Sequence, residues 1–207
     1  MGVVIKQSIK GTIHTYIGIG IGFISAALIF PHVFNPEQIG LLNLLVQISL
    51  LVTQFGILGL PGVITYFFVT FKNKDNAHNG FPIIVLMGTA VGVVASVAFL
   101  LLAKPWIISK YNNVLFSSHY YQLIPLTIAS IIFVNLDSYY KGFYNVVLAT
   151  FLKETFQRLV MLAFLLLFVF EICGFDTYVV LYSFSIVLPS VWLYVAMVRE
   201  GHFKCIP

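Results

Sequence analysis

The chain has 207 residues, 60% of them hydrophobic and only 9% charged, with a mean hydropathy of +1.00. Soluble domains carry about 25% charged residues, and a chain of this size has too little interior to hide so much apolar surface from water. The net charge of +4 does not indicate nucleic acid as a partner, because the basic residues are scattered between apolar runs and form no stripe.

A bilayer removes the surface problem by acting as the apolar solvent, and each crossing needs roughly 20 apolar residues. Runs this long are helices, since barrel strands are far shorter and lipid leaves no partner for an unpaired amide. The first run covers Gly11 to Phe34 and ends at Pro31 and the Asn35-Pro36 turn. It follows Lys6 and Lys10 but lacks the short core and small-residue exit of a cleavable signal, so it reads as an uncleaved helix. The second run, Gln38 to Phe71, is too long for one crossing at roughly 50 Å, and the stretch Gln54 to Gly62 offers a bend because Pro61 lacks an amide donor. The third spans Phe81 to Ala103 and ends at Lys104-Pro105. The last three are Tyr120 to Tyr140, Val147 to Phe170 and Thr177 to Val198. The expected fold is an all-α integral membrane bundle of six transmembrane helices, a single unit over residues 1–207.

Orientation follows from the basic residues. With the N-terminus in the cytoplasm, all but Lys104 and Lys110 of the 11 lysines and arginines fall on cytoplasmic segments: Lys6, Lys10, Lys72, Lys74, Lys141, Lys153, Arg158, Arg199 and Lys204. That bias places both termini inside.

Helices in lipid associate by close packing, and two small-residue stripes fit that need: Gly18, Gly22 and Ala26 on the first helix, and Gly88, Gly92 and Ser96 on the third. Polar groups inside a bilayer are costly and face an interior or a water-filled path. Gln47 and Gln54 are two turns apart on one face of the second helix, read either as interhelical hydrogen-bonding groups or as a cavity lining. Asn135 and Asp137 sit near the inner end of the fourth helix, and Lys153, Glu154, Gln157 and Arg158 at the inner end of the fifth. Glu154 and Arg158 are spaced for an ion pair, so Lys153 leaves a local positive excess. That patch suits a phosphate-bearing substrate, or else it anchors in the headgroups with snorkelling side chains. His14, near the inner interface of the first helix, reads as a structural residue or a proton relay.

Cys173 and Cys205 stand near opposite ends of the last helix, which disfavours a disulfide, and no metal-ligand spacing is present. No phosphate loop, nucleophile elbow or zinc-protease motif occurs. The Ile17-Gly-Ile-Gly-Ile-Gly22 run lies inside an apolar helix with no preceding strand. The reading is a non-enzyme without cofactor or metal, and without an ATP motif any transport draws on an ion, voltage or substrate gradient.

Several short stretches together carry a family likeness: Lys6-Gln-Ser-Ile-Lys-Gly11, Phe30-Pro-His-Val-Phe-Asn-Pro36-Glu-Gln-Ile-Gly40, Gln54-Phe-Gly-Ile-Leu-Gly59 and the loop Phe71 to Phe81. Lys104-Pro-Trp-Ile-Ile108, Asp137-Ser-Tyr-Tyr140 and Phe151-Leu-Lys-Glu-Thr-Phe-Gln-Arg158 complete the set. In their order the chain resembles the N-terminal half of the polysaccharide-biosynthesis (Wzx-like) flippases. That branch belongs to the MATE/MOP superfamily, which also holds multidrug extruders and lipid II flippases. The likeness implies one lobe of a two-lobe transporter in the bacterial inner membrane. Its partners would be membrane lipids, a lipid-linked oligosaccharide cargo for cell-surface polysaccharide or lipopolysaccharide, and a second six-helix lobe from a C-terminal half or another copy. It implies alternating access; the polar residues read above, Lys153, Arg158, Gln47, Gln54 and Asp137, are the substrate-binding candidates. The chain departs from the pattern at Thr65-Tyr-Phe-Phe68, where relatives often place an arginine. A cation-coupled multidrug antiporter of the same superfamily and a non-transporting, truncated membrane scaffold are the alternatives.

Overall fold

The computed structural model describes residues 3–71, 80–111, 113–143 and 146–201. Among these residues every regular element is helical. Lys72, Lys74 and the loop around them, together with Lys204 and Cys205, lie outside the described residues.

The first helix begins earlier than expected. Helix α1 (Val3–Phe23) passes through a π-helical stretch, Ile24–Ile29, into α2 (Phe30–Val33). Two extended residues, Phe34 and Asn35, then turn the chain. Helix α3 (Pro36–Gly56) starts there for a local reason. Asn35 caps it, its amide meets Gln38 Oε1 at 3.0 Å, and Pro36 fills a first-turn position whose amide would be unpaired anyway.

The second expected helix is not one bent helix. It divides into α3 and α4 (Leu60–Phe71), and the break at Ile57–Gly59 falls inside the expected stretch Gln54 to Gly62 but ahead of Pro61, which does not cause it. Leu58 and Gly59 have φ of 51° and 69°, the left-handed region that ends an α-helix. Pro61 sits in the first turn of α4, where a missing amide costs nothing.

The third helix also departs from expectation, because α5 (Phe81–Tyr111) runs through Pro105. A helical proline removes one amide donor and crowds the preceding turn. Here it lies towards the end of the helix, where Lys104 reaches across to Tyr121 Oη at 2.8 Å.

Short α6 (Val114–His119) and a 3₁₀ turn at Tyr120–Gln122 lead into α7 (Leu123–Lys141). The fifth expected segment is α8 (Val146–Thr150), a π-helical stretch over Phe151–Phe156, and α9 (Gln157–Val169). Helix α10 (Phe175–Arg199) ends the fold.

Five of the helical stretches are long and apolar enough to cross a membrane: Ile5–Val33, Pro36–Gly56, Phe81–Tyr111, Val114–Lys141 and Phe175–Arg199. The α8–α9 helix differs from them by carrying Lys153, Glu154 and Arg158. The chain is an all-helical bundle compatible with a multi-pass membrane protein.

Two apolar clusters hold the ends. At one end Phe34 packs on Phe30, Phe168 and Tyr178, with ring centroids 5.2, 4.8 and 5.0 Å away. At the other, Phe68, Phe81, Tyr139 and Tyr140 join Leu193 and Met197. Helix α7 is the hub, packing against α3, α4, α5 and α10. Hydrogen bonds tie it in: Tyr120 Oη donates to the Leu100 carbonyl at 2.7 Å, Asn135 Nδ2 to Thr89 Oγ1 at 3.1 Å, and Ser190 Oγ to the Ala129 carbonyl at 2.8 Å.

Between these clusters the helices meet backbone to backbone. A Cβ on Gly92 would overlap the Gly56 carbonyl oxygen, and one on Gly88 would press into Leu60. Ser96 lies against Gly56 on the same face. Gly92→Val should therefore destabilise the bundle by about 1–3 kcal/mol, read as a lower melting temperature in detergent. Gly20→Ala, with open space around it, should leave that temperature unchanged.

Candidate functional site

Helix α2 meets α3 at the Phe34 end, and from there the first two arms follow different partners. Helix α1 lies on the α8–α9 helix, whereas α3 lies on α5 and α7. The space left between them is the polar part of the molecule.

One cavity of 260 Å³ is walled by Ser49, Thr53 and Gln54 from α3, Ser130 and Phe133 from α7, Pro189 from α10, and Lys153 and Gln157. A neighbouring cavity of 250 Å³ is walled by Gly22, Ser25, Ala26, Glu154 and Arg158, again with Lys153 and Gln157. Lys153 and Gln157 thus border both.

The π-helical stretches shape this region. A π turn widens the helix and is frequent at functional sites. One of them carries Lys153 and Glu154, and the other carries Ser25, whose Oγ donates to the Ile21 carbonyl at 2.9 Å. The glycine face of α1 receives the first of these: a Cβ on Gly18 would overlap the Glu154 carbonyl oxygen, and one on Gly22 would overlap the Arg158 guanidinium. Thr155 Oγ1 donates across to the His14 carbonyl at 2.9 Å. Ala26, further along that face, is exposed in the cleft.

The charges do not balance. Arg158 Nη2 lies 3.4 Å from Glu154 Oε2, longer than the 2.7–2.9 Å typical of a strong charged hydrogen bond. Lys153 Nζ stands 5.7 Å from the centre of the Phe133 ring and, among the described residues, has no carboxylate partner. It lies about two turns along the helix from Val146, exposed at the edge of a cavity whose lining mixes Ser49, Thr53, Gln54, Ser130 and Gln157 with apolar side chains.

The candidate residues separate in space. Gln54 and Lys153 share one cavity, and Arg158 lines the adjoining one. Gln47 is exposed on α3 and does not line either cavity. Asp137 is bound to Lys141 Nζ at 2.6 Å near the Tyr140 end. His14 lies edge-on to Phe151, centroids 5.1 Å apart, with a buried Nδ1 that has no partner among the described residues.

Ser49, Thr53 and Ser130 complete the lining and are the residues that sequence reasoning passed over. Thr53 Oγ1 donates to the Ser49 carbonyl at 2.8 Å, the ordinary way a threonine satisfies itself in a helix. The only signal for Ser49 and Thr53 was their one-turn spacing, which puts both hydroxyls on one face of α3.

Cys173 is a free, partly buried thiol at the Phe34 end. Among the described residues, no group of three or more His, Cys, Asp or Glu side chains gathers for a metal.

Thr155→Val removes the hydroxyl that fastens the Lys153 stretch to α1. It should cost about 0.5–1.5 kcal/mol, measured as thermal stability in detergent, while Thr65→Val, whose hydroxyl bonds only within its own helix, should be near neutral. No family model, curated protein or solved structure matches this chain.

Proposed function

We propose that the chain is one lobe of an alternating-access transporter that moves a lipid-linked oligosaccharide across the bacterial inner membrane. In this reading six helices cross the bilayer, α3 and α4 sharing one crossing, and both ends lie in the cytoplasm. The observation that supports it best is Lys153, an unpaired cation set among Gln54, Gln157 and Ser130 in a cleft between otherwise apolar helices.

A sugar head bearing phosphate cannot cross hydrocarbon without polar partners, and the cleft supplies hydroxyls, amides and one uncompensated positive charge. Its open side, between α1 and α3, is where a second six-helix lobe would close the path, whether that lobe comes from the same polypeptide or from another copy. Rocking of the two lobes would then expose the cleft to each face in turn. Efflux of amphipathic cations fits less well. Among the described residues lining the two cavities the one acid is Glu154, already engaged by Arg158, and Lys153 repels a cationic cargo. A non-transporting scaffold accounts for Lys153 only as a headgroup anchor and leaves the cavity beside it without a role.

The test is binding and leaflet-to-leaflet movement of a fluorescent lipid-linked oligosaccharide by the reconstituted protein. Loss of a charged hydrogen bond costs about 1.5–3 kcal/mol, so Lys153→Ala should weaken binding roughly ten- to a hundredfold. Lys153→Arg should retain most of it, and Asp137→Asn, away from the cavities, should leave it unchanged. Equal binding by Lys153→Ala and the unaltered protein would remove the lysine from the site.

A reporter that fluoresces only in the cytoplasm, fused after Pro207, should light up if the even number of crossings is right.

A further inference from the structure

We infer that the turn Ile57–Gly59 between α3 and α4 is a water-lined part of the cleft wall, solvated in the middle of the apolar span. The inference rests on the bilayer reading proposed above and is independent of the cargo.

The position of the turn comes from its neighbours. The Gly56 carbonyl lies against Gly92, and Gly56 also meets Ser96 and Ile131. Those residues sit near the middle of the stretches Phe81–Tyr111 and Val114–Lys141, each long enough to cross a membrane. The chain therefore loses its helix far from either end of the bundle.

The backbone accounting at that point is incomplete. Leu58 donates to the Phe55 carbonyl, Leu60 to Ile57, and both Gly62 and Val63 to Gly59. Among the described residues, the Gly59 amide has no acceptor, and the carbonyls of Gln54, Gly56 and Leu58 accept from no donor. Gly92 shields the Gly56 oxygen, but Leu58 is 54% exposed and Gly59 is exposed as well.

Hydrocarbon offers neither donors nor acceptors, and irregular backbone at membrane depth occurs only where protein or water covers it. Gln54 decides between them. Its carbonyl is one of the unpaired groups, and its residue lines the cavity that holds Lys153. The turn thus starts three residues beyond a wall residue of the cleft, and water reaching it from there supplies the missing hydrogen bonds.

The test uses the full chain reconstituted in vesicles, with Cys173→Ser and Cys205→Ser to clear the background. Leu58→Cys, with Ile57→Cys as a second reporter, is compared with Val94→Cys, which is 68% exposed on α5 at similar depth. The probes are a charged, membrane-impermeant maleimide and a lipophilic one.

Thiols react as thiolates, which water permits and lipid suppresses, so Leu58→Cys should react with the charged reagent at least about tenfold faster than Val94→Cys. Reaction of both turn cysteines with the lipophilic reagent alone would place the turn in lipid and overturn the inference. Protection of both from either reagent until detergent is added would mean a protein cover, and would overturn it too. Rapid charged labelling of Val94→Cys as well would remove the bilayer placement itself, and the inference with it.

Discussion

Everything in this fold depends on backbone approaching backbone at glycine. In lipid no solvent squeezes apolar faces together, so helices gain from each other only what contact distance allows. At Gly92 the carbonyl of Gly56 rests on α5, and at Gly18 the carbonyl of Glu154 rests on α1. Both oxygens belong to places where regular α-helix fails: the end of α3 and the π-helical stretch before α9. The glycines accommodate the irregular backbone as well as bringing helices close, and the irregular backbone in turn carries the polar cleft.

The packing of the cleft explains how three charges sit on one helix of an apolar bundle. Gly22 leaves room for the Arg158 guanidinium, which turns towards Glu154 across one helical turn. A larger residue on α1 would drive the arginine out of that space. Lys153 is left without an acid, held by its place between two cavities and by the face of Phe133. The asymmetry of one neutralised pair beside one free cation is a property of the whole local arrangement.

Much of the helical plan was legible in the sequence, because apolar runs broken by Asn35-Pro36 and by the loop before Phe81 leave few alternatives. The errors came from proline. Pro61 was read as the cause of the bend within Gln54 to Gly62 and Pro105 as a stop, yet Pro61 lies in the first turn of α4, after the break, and Pro105 inside α5. The actual break needed two successive left-handed residues, one of them Leu58, and a leucine gives no warning of a positive φ. For the cleft, charge made Lys153 and Arg158 conspicuous. Asp137 and Gln47 were equally conspicuous and lie elsewhere, since periodicity tells which residues share a face but not which neighbour that face meets. Ser49, Thr53 and Ser130 were invisible for the opposite reason: small hydroxyls in helices are usually satisfied by their own turn.

The link between the first two long helices has a mechanical meaning. Only Phe34 and Asn35 separate α2 from α3, both extended, with Phe34 buried among aromatic rings and Asn35 engaged as a cap. So short a tether forbids lengthwise sliding of one arm past the other and fixes the register in which the two face each other.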